Sequence, residues 1–237
     1  MSKVDLQACY VLHARAYRDT SNLLDVFTQE YGRVGLVARG ARSSKSRLQG
    51  LLQPFTPLLI SWTGMGELHT LTHAEQEHRA HHLKAGNLMT GFYINELVIN
   101  FLHKGDPHPQ LYQRYTMALA ELERTEHIEP VLRLFERDLL QETGYGLIFD
   151  CDVETGESIE PGKLYNYHPD KGPVRATLPD ETLLQIRGKT LLELSKDIIT
   201  DATILPEAKR LMRYLINWYM GGKPLKTREL FKQYLPS

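Results

Sequence analysis

Apolar positions in the first third of the chain fall in short runs that alternate with polar ones and stop at turn residues, the pattern of half-buried strands. The expected strands are Gln7 to Arg15, Asn22 to Thr28, Arg33 to Arg39, Leu51 to Trp62 and Glu67 to His73, with Glu30-Tyr31-Gly32 closing the hairpin between the second and third. In the third, Val34, Leu36 and Ala38 alternate with Gly35, Val37 and Arg39, which buries one face and turns Arg39 outward. Pro54 and Pro57 cannot donate to a ladder, so they put the fourth strand at an edge or a bend. Five short strands suit a small closed barrel, of which the OB-fold is the commonest five-stranded type; an SH3-like barrel is the other candidate.

After Glu75 the period becomes helical. Ile94, Leu97, Val98, Phe101 and Leu102 make one stripe behind an expected Asn87 cap, and Gly105-Asp106-Pro107 stops it. A second helix is expected from Pro109 to Arg124. A third runs from Glu129 to Thr143, with Leu132, Phe135, Leu139 and Leu140 inward and Gly144 as its stop. The stretch of about 147–178 is rich in Gly, Pro and Asp and reads as a loop-rich insert. Helix returns from Pro206 to Met220, where Ala208, Leu211, Met212, Leu215 and Tyr219 share a face, and again from Thr227 to Tyr234. The expected architecture is α+β: a barrel domain over 1–80, then a mainly helical domain over 81–237 that carries the insert.

Charge sharpens this picture where composition does not. The 237 residues hold 28 Lys plus Arg against 29 Asp plus Glu, a net −1, with 42% hydrophobic residues, as in an ordinary globular protein. Yet no acid stands between Tyr31 and Gly66, a window that holds Arg33, Arg39, Arg42, Lys45 and Arg47. The last part of the chain is basic again, with Lys209, Arg210, Arg213, Lys223, Lys226 and Arg228. Two cysteines, Cys9 and Cys151, make no disulfide framework, and no export segment or membrane helix is expected, so the setting is cytoplasmic.

Nucleotide-binding motifs are missing: Gly64-Met65-Gly66 lacks the third glycine of a dinucleotide loop, and Gly222-Lys223 lacks the upstream glycine of a P-loop. No serine sits in a nucleophile elbow. His69, His73, His78, His81 and His82 are dense enough to suggest metal ligation, but their spacing matches no zinc motif. Cys151 lies in the insert with Glu154 where a second thiolate would stand. The sharpest signal is the run from Arg39 to Arg47, where cations, hydroxyls and small residues follow a strand directly, a composition suited to phosphate oxygens. Tyr17, Phe55 or Trp62 could stack unpaired bases nearby, or could equally be core.

Asp25-Val26-Phe27-Thr28, Gly32-Arg33-Val34, Ala38-Arg39-Gly40-Ala41-Arg42 and Leu52-Gln53-Pro54-Phe55-Thr56-Pro57-Leu58 resemble the N-terminal barrel of the bacterial RecO family of recombination mediators. Tyr93-Ile94-Asn95-Glu96-Leu97, Leu132-Arg133-Leu134-Phe135-Glu136, Gly144-Tyr145-Gly146 and the closing stretch Gly221 to Phe231 continue the resemblance in order. It implies an OB-fold followed by a helical domain and a non-enzymatic role in recombinational DNA repair. It implies partners as well: single- and double-stranded DNA, RecR, the acidic tail of the single-stranded DNA-binding protein SSB, RecA indirectly, and RecF as a further candidate. The family anneals complementary strands and, with RecR, loads RecA onto SSB-coated DNA. By the resemblance Arg133 takes part in docking the SSB tail, with Phe135 and Leu139 as our own candidates for apolar wall. Some relatives carry a four-cysteine zinc module in the insert. This chain departs from them, and no metal or other cofactor is expected.

Annealing without ATP requires only that phosphate repulsion be screened while bases stay free to pair. The candidate DNA-binding residues are therefore Arg33, Arg39, Arg42, Lys45 and Arg47, with Lys209, Arg210, Arg213, Lys223, Lys226 and Arg228 as a second basic track. The competing readings are a metal-dependent hydrolase or transferase built on the histidine group and a protein-protein scaffold that never touches nucleic acid.

Overall fold

The computed structural model describes residues 2–177 and 184–234. Residue 178 of the expected insert, and 235–237 of the expected helical domain, lie outside the described residues. Strands β1 (Ser2–Tyr17), β2 (Ser21–Thr28), β3 (Gly32–Ala38), β4 (Leu58–Gly64) and β5 (Leu68–Gln76) close a barrel in the order β1-β2-β3-β5-β4. Neighbours pair antiparallel except β3 and β5, which run parallel through Gly35↔Leu68, Leu36↔His69 and Val37↔Thr70. This is an OB-fold, so the SH3-like alternative falls away. β1 serves two neighbours, β4 with its first half and β2 with its second, and irregularities between Val4/Gln7 and Val11/His13 re-aim it between them. The fourth strand starts at Leu58 rather than Leu51. Pro54 and Pro57 supply no ladder donor, and from 39 to 57 the chain is a series of turns with one β-bridge to the barrel, Val11↔Pro54, and with Ala41 and Leu52 in the barrel core.

Side-chain alternation gives β1 and β2 two buried faces. Cys9, Val11, Leu24 and Val26 point into the barrel with Leu36, Leu58, Ile60 and Trp62. Burial pushes the Cys9 thiol far above its ordinary range. Tyr10 and Phe27 point the other way, towards α1 (Ala85–Phe101), which packs on β1, and α2 (Pro109–Arg124), whose Tyr112 and Tyr115 they meet through edge-to-face or tilted contacts at 5.1–5.8 Å. The polar tips are satisfied: Tyr115 donates to Asn95 Oδ1 at 2.7 Å, and Asn95 Nδ2 donates to the Leu12 carbonyl at 3.0 Å. The expected stripe of α1 is the buried one, with Ile94, Leu97 and Val98 at 0% exposure. Asn87 does not cap that helix, which starts before it. Its amide donates to the carbonyls of Leu122 and Thr125 at 2.6 and 2.8 Å and closes the end of α2.

Barrel, α1 and α2 form one compact unit, Met1–Thr125, and Glu126–Gln233 form a second. The switch from strands to helices near residue 80 and the division between units thus fall in different places. In the second unit α3 (Ile128–Glu142) packs on α4 (Gly188–Leu194) and α5 (Leu205–Tyr219), and α6 (Lys226–Tyr234) follows. The core of this unit includes Leu132, Phe135, Leu139, Leu191, Leu211, Met212 and Leu215. Arg137 joins α3 to the end of α4 by donating to the carbonyls of Leu194, at 2.9 Å, and Lys196.

The insert is more ordered than its composition suggests. β6 (Leu164–His168), β7 (Gly172–Arg175) and β8 (Leu184–Arg187) make an antiparallel sheet in the order β7-β6-β8, with Tyr165 and Tyr167 buried at 2% and 1% exposure. Its turn is held by a carboxylate: Asp152 Oδ1 accepts from the amides of Glu154 and Thr155 at 2.9 and 3.1 Å, and Oδ2 from that of Arg175 at 2.7 Å. Burial pushes this carboxyl up, and the three amides outweigh it and hold it low.

Candidate nucleic-acid interface

Within the acid-free window, the segment after β3 forms one rim of the barrel. The loop after β3 is pinned from below by Ala41, 1% exposed, and from the side by Arg42. The Arg42 guanidinium donates to the carbonyls of Arg18, Asp19 and Ser21 at 2.6, 2.6 and 3.2 Å, and the Arg42 amide donates to the Thr20 carbonyl at 2.8 Å. One arginine thus fastens the β3–β4 loop to the β1–β2 turn while staying exposed. Arg39, Lys45 and Arg47 project around it into solvent, and Arg18 lies over the Tyr17 ring at 5.2 Å. These are charges held above a fixed backbone frame, which suits a polyanion read by shape and not by sequence.

A groove of about 370 Å³ opens on the barrel wall beside this rim. Its walls include His13 and Arg15 of β1, Asp25 of β2, Leu68 of β5 and Lys104, and Gly35 leaves room on β3, with Lys104 Nζ 3.5 Å from where a Cβ would stand. His13, Arg15 and Tyr17 are alternate residues on one face of β1, so exposed side chains lead from the groove up to the rim. The outer face of strands 2 and 3 is where OB-folds hold oligonucleotides and oligosaccharides. Sequence reading missed Arg15 and Lys104. The first was visible as period-two polarity along β1; the second arrives from beyond α1 and had no local signal.

Arg33 is corrected. Its side chain is only 14% exposed and donates to Asp25 Oδ1 at 2.9 Å and to the carbonyls of Leu102, at 2.9 Å, and Ile99. It closes the end of α1 and lines the wall of the groove, and it is not part of the cationic rim. Two candidate stacking residues are corrected as well. Phe55, 4% exposed, packs on Phe92, and Trp62, 2% exposed, meets Tyr31 edge-on inside the barrel wall, which leaves Tyr17.

In the second unit the tail-docking candidates divide. Phe135 and Leu139 are core residues at 2% and 0% exposure and support a surface instead of lining one. Arg133 is buried at 3%, 3.1 Å from Glu136 and 3.9 Å from Glu129, and its Nε and Nη1 have no partner among the described residues. Of the second basic track, Lys209 pairs with Glu129 at 2.7 Å, and Arg210 donates to the Gln185 carbonyl at 2.7 Å. Arg213, Lys223 and Lys226 are exposed and Arg228 is half-buried. The histidines do not converge: His73 meets Glu75 at 3.2 Å and His81 meets Glu123 at 3.3 Å, and no group of three metal-binding side chains occurs among the described residues. No helix among the described residues is long and apolar enough to cross a membrane.

Barrel topology, cationic rim and outer groove define the class: a protein built on an oligonucleotide/oligosaccharide-binding barrel. Residues 1–79 match the family model Recombination protein O N terminal, and residues 84–229 match Recombination protein O C terminal. The chain is 46% identical over 231 residues to the DNA repair protein RecO of Nitrosococcus oceani, which covers 98% of this chain and 94% of that one. It is 42% identical over 236 residues to that of Cupriavidus metallidurans (98% and 79% covered) and 43% identical over 226 residues to that of Aliivibrio salmonicida (95% and 94%). The chain belongs to the RecO family, whose members are DNA repair mediators and not enzymes.

Proposed function

We propose that this protein binds single- and double-stranded DNA along the rim and groove of its barrel, anneals complementary strands, and acts with RecR to load RecA onto strands coated by SSB. RecF belongs to the same set of partners, and the work takes place in the cytoplasm at the nucleoid. A role in DNA repair and recombination follows from the family. The observation that carries the finer reading is the rim itself: Arg39, Arg42, Lys45 and Arg47 stand in an acid-free stretch beside a groove lined by Arg15, Arg33 and Lys104 together with Asp25 and Glu67. Screening two phosphate backbones at once is what annealing requires, and it needs no nucleotide.

Because Arg42 also ties two loops, the clean variant keeps it and replaces Arg39, Lys45 and Arg47 by Ala. Fluorescence anisotropy with a labelled single strand across a salt series should show weaker binding and a log-log slope flatter by about 0.7 for each phosphate that the variant no longer neutralises. An unchanged slope in the folded variant removes the rim from the interface.

We propose that the SSB tail docks at the surface over Arg133, the position that the family resemblance marks, with the guanidinium held beneath it at 3.1 Å from Glu136. Arg133→Lys keeps a cation facing Glu136 and removes the planar guanidinium. Calorimetry with the acidic tail peptide should show roughly tenfold weaker binding with naked-DNA binding intact, and equal peptide affinity would sink this placement.

A further inference from the structure

α5 turns Ala208, Leu211, Met212, Leu215 and Ile216 into the core, Arg210, Arg213 and Asn217 lie on the opposite arc, and Tyr214 and Trp218 lie on the flank between them. A solvent-facing flank of a helix does not need large rings. Trp218 is nevertheless 52% exposed, and Tyr214 stands one turn before it with ring centroids 6.5 Å apart and planes inclined at 42°, so neither ring covers the other. The indole N–H reaches Asp170 Oδ1 at 3.4 Å and steadies the ring by its edge.

Cations flank the rings. Arg210 is anchored by the Gln185 carbonyl at 2.7 Å and lies 3.6 Å from Glu207, and Arg187 and Arg213 are exposed. Among the described residues, Asp170 is engaged by the indole and Glu207 by the Arg187 amide at 3.2 Å and the Thr190 hydroxyl. Aromatic faces interleaved with arginines on one exposed surface are what unpaired bases and their phosphates require together.

We infer that this side of α5 is a stacking platform for single-stranded nucleic acid, with Tyr214 and Trp218 taking bases and Arg210 and Arg213 meeting phosphates. The inference rests on the DNA-binding reading above and adds a distinction that reading lacks. The barrel rim meets phosphates, which single strands and duplexes share, whereas a stacking platform needs bases that no complementary strand has covered.

The protein holds two tryptophans, and Trp62, 2% exposed, sits in the barrel core, so emission quenched by added strands reports Trp218. Oligo(dT) should quench the full-length protein, a duplex of the same length should not, and Trp218→Phe should abolish the quenching while keeping most of the affinity. Tyr214→Ala with Trp218→Ala should weaken single-strand binding, read in parallel by anisotropy, by about fivefold or more with duplex binding unchanged. Neither residue is among the buried ones of α5. Quenching that persists in Trp218→Phe, or full single-strand affinity in the double variant, overturns the proposal and assigns this side of α5 to a protein partner. Absence of any binding by the unaltered protein overturns the barrel reading as well, so the two failures are separable.

Discussion

Arg33 and Arg39 open and close the same expected strand in the same acid-free window, and sequence alone ranks them alike as DNA ligands. Their neighbours separate them. Hairpin pairing sets Phe27 opposite Arg33 and Asp25 opposite Gly35, so Arg33 and Asp25 are diagonal neighbours, and the guanidinium then reaches the carbonyls that end α1. The Asp25 relation was legible once the Glu30-Tyr31-Gly32 turn fixed the register; the bond to the Leu102 carbonyl was not, because nothing local announces it. Arg33→Ala should therefore lower stability by about 2 kcal/mol, leaving a carboxylate and helix-end carbonyls short of a donor, while the salt slope for DNA stays as it was. Urea unfolding alongside the anisotropy series checks both; a flatter slope with unaltered stability would return Arg33 to the interface.

Helices were more legible than the insert strands because their apolar spacing repeats over several turns. The expected helix from Pro109 to Arg124 matches α2, the stripe of α3 is a buried face, and so is that of α5 except for Tyr219, which is half-buried, while Ile216 joins the face. β6 and β7 have only five and four residues, too few for a period to stand out beside their glycines and prolines, although Tyr165 and Tyr167 do alternate. The turn after α4 is tied by Glu193, whose carboxylate takes the Lys196 ammonium at 2.5 Å and the amides of Thr200 and Asp201 at 2.8 and 3.2 Å, and so is held down at about 2. A carboxyl lowered on folding stabilises above its ordinary value of about 4.5, and that contribution is lost as pH falls through 2. Glu193→Gln should cost about 2 kcal/mol at neutral pH, and the gap from the unaltered protein should narrow as pH drops from 4.5 toward 2. A gap that is constant across that range in acid-titrated unfolding would show that the charge is not responsible.

At the scale of the molecule, strand and helix patterns mark a change near residue 80, whereas burial on the outer barrel face ties α1 and α2 to the strands before them. Tyr10, Leu12 and Phe27, none more than 2% exposed, lose their cover if the chain is cut at the pattern boundary, at about 1.5–3 kcal/mol for each side chain uncovered. A fragment of residues 1–125 should melt cooperatively as a monomer, and one of residues 1–80 should aggregate or bind a hydrophobic dye. Equal melting temperatures for monomers of both would show that the helices add nothing to the barrel. The barrel also has a narrow seam. Its one parallel pairing, β3 with β5, spans three residue pairs, and the groove lies across it, with Gly35 on one bank and Leu68 on the other. On the proposed DNA-binding reading, a strand that bridges both banks binds only the closed barrel, so occupancy is linked to closure: each bound molecule should lower the frequency with which the seam opens and slow exchange of its amide protons with solvent. Cargo and container would then stabilise one another, and the protein should resist unfolding most while it is loaded.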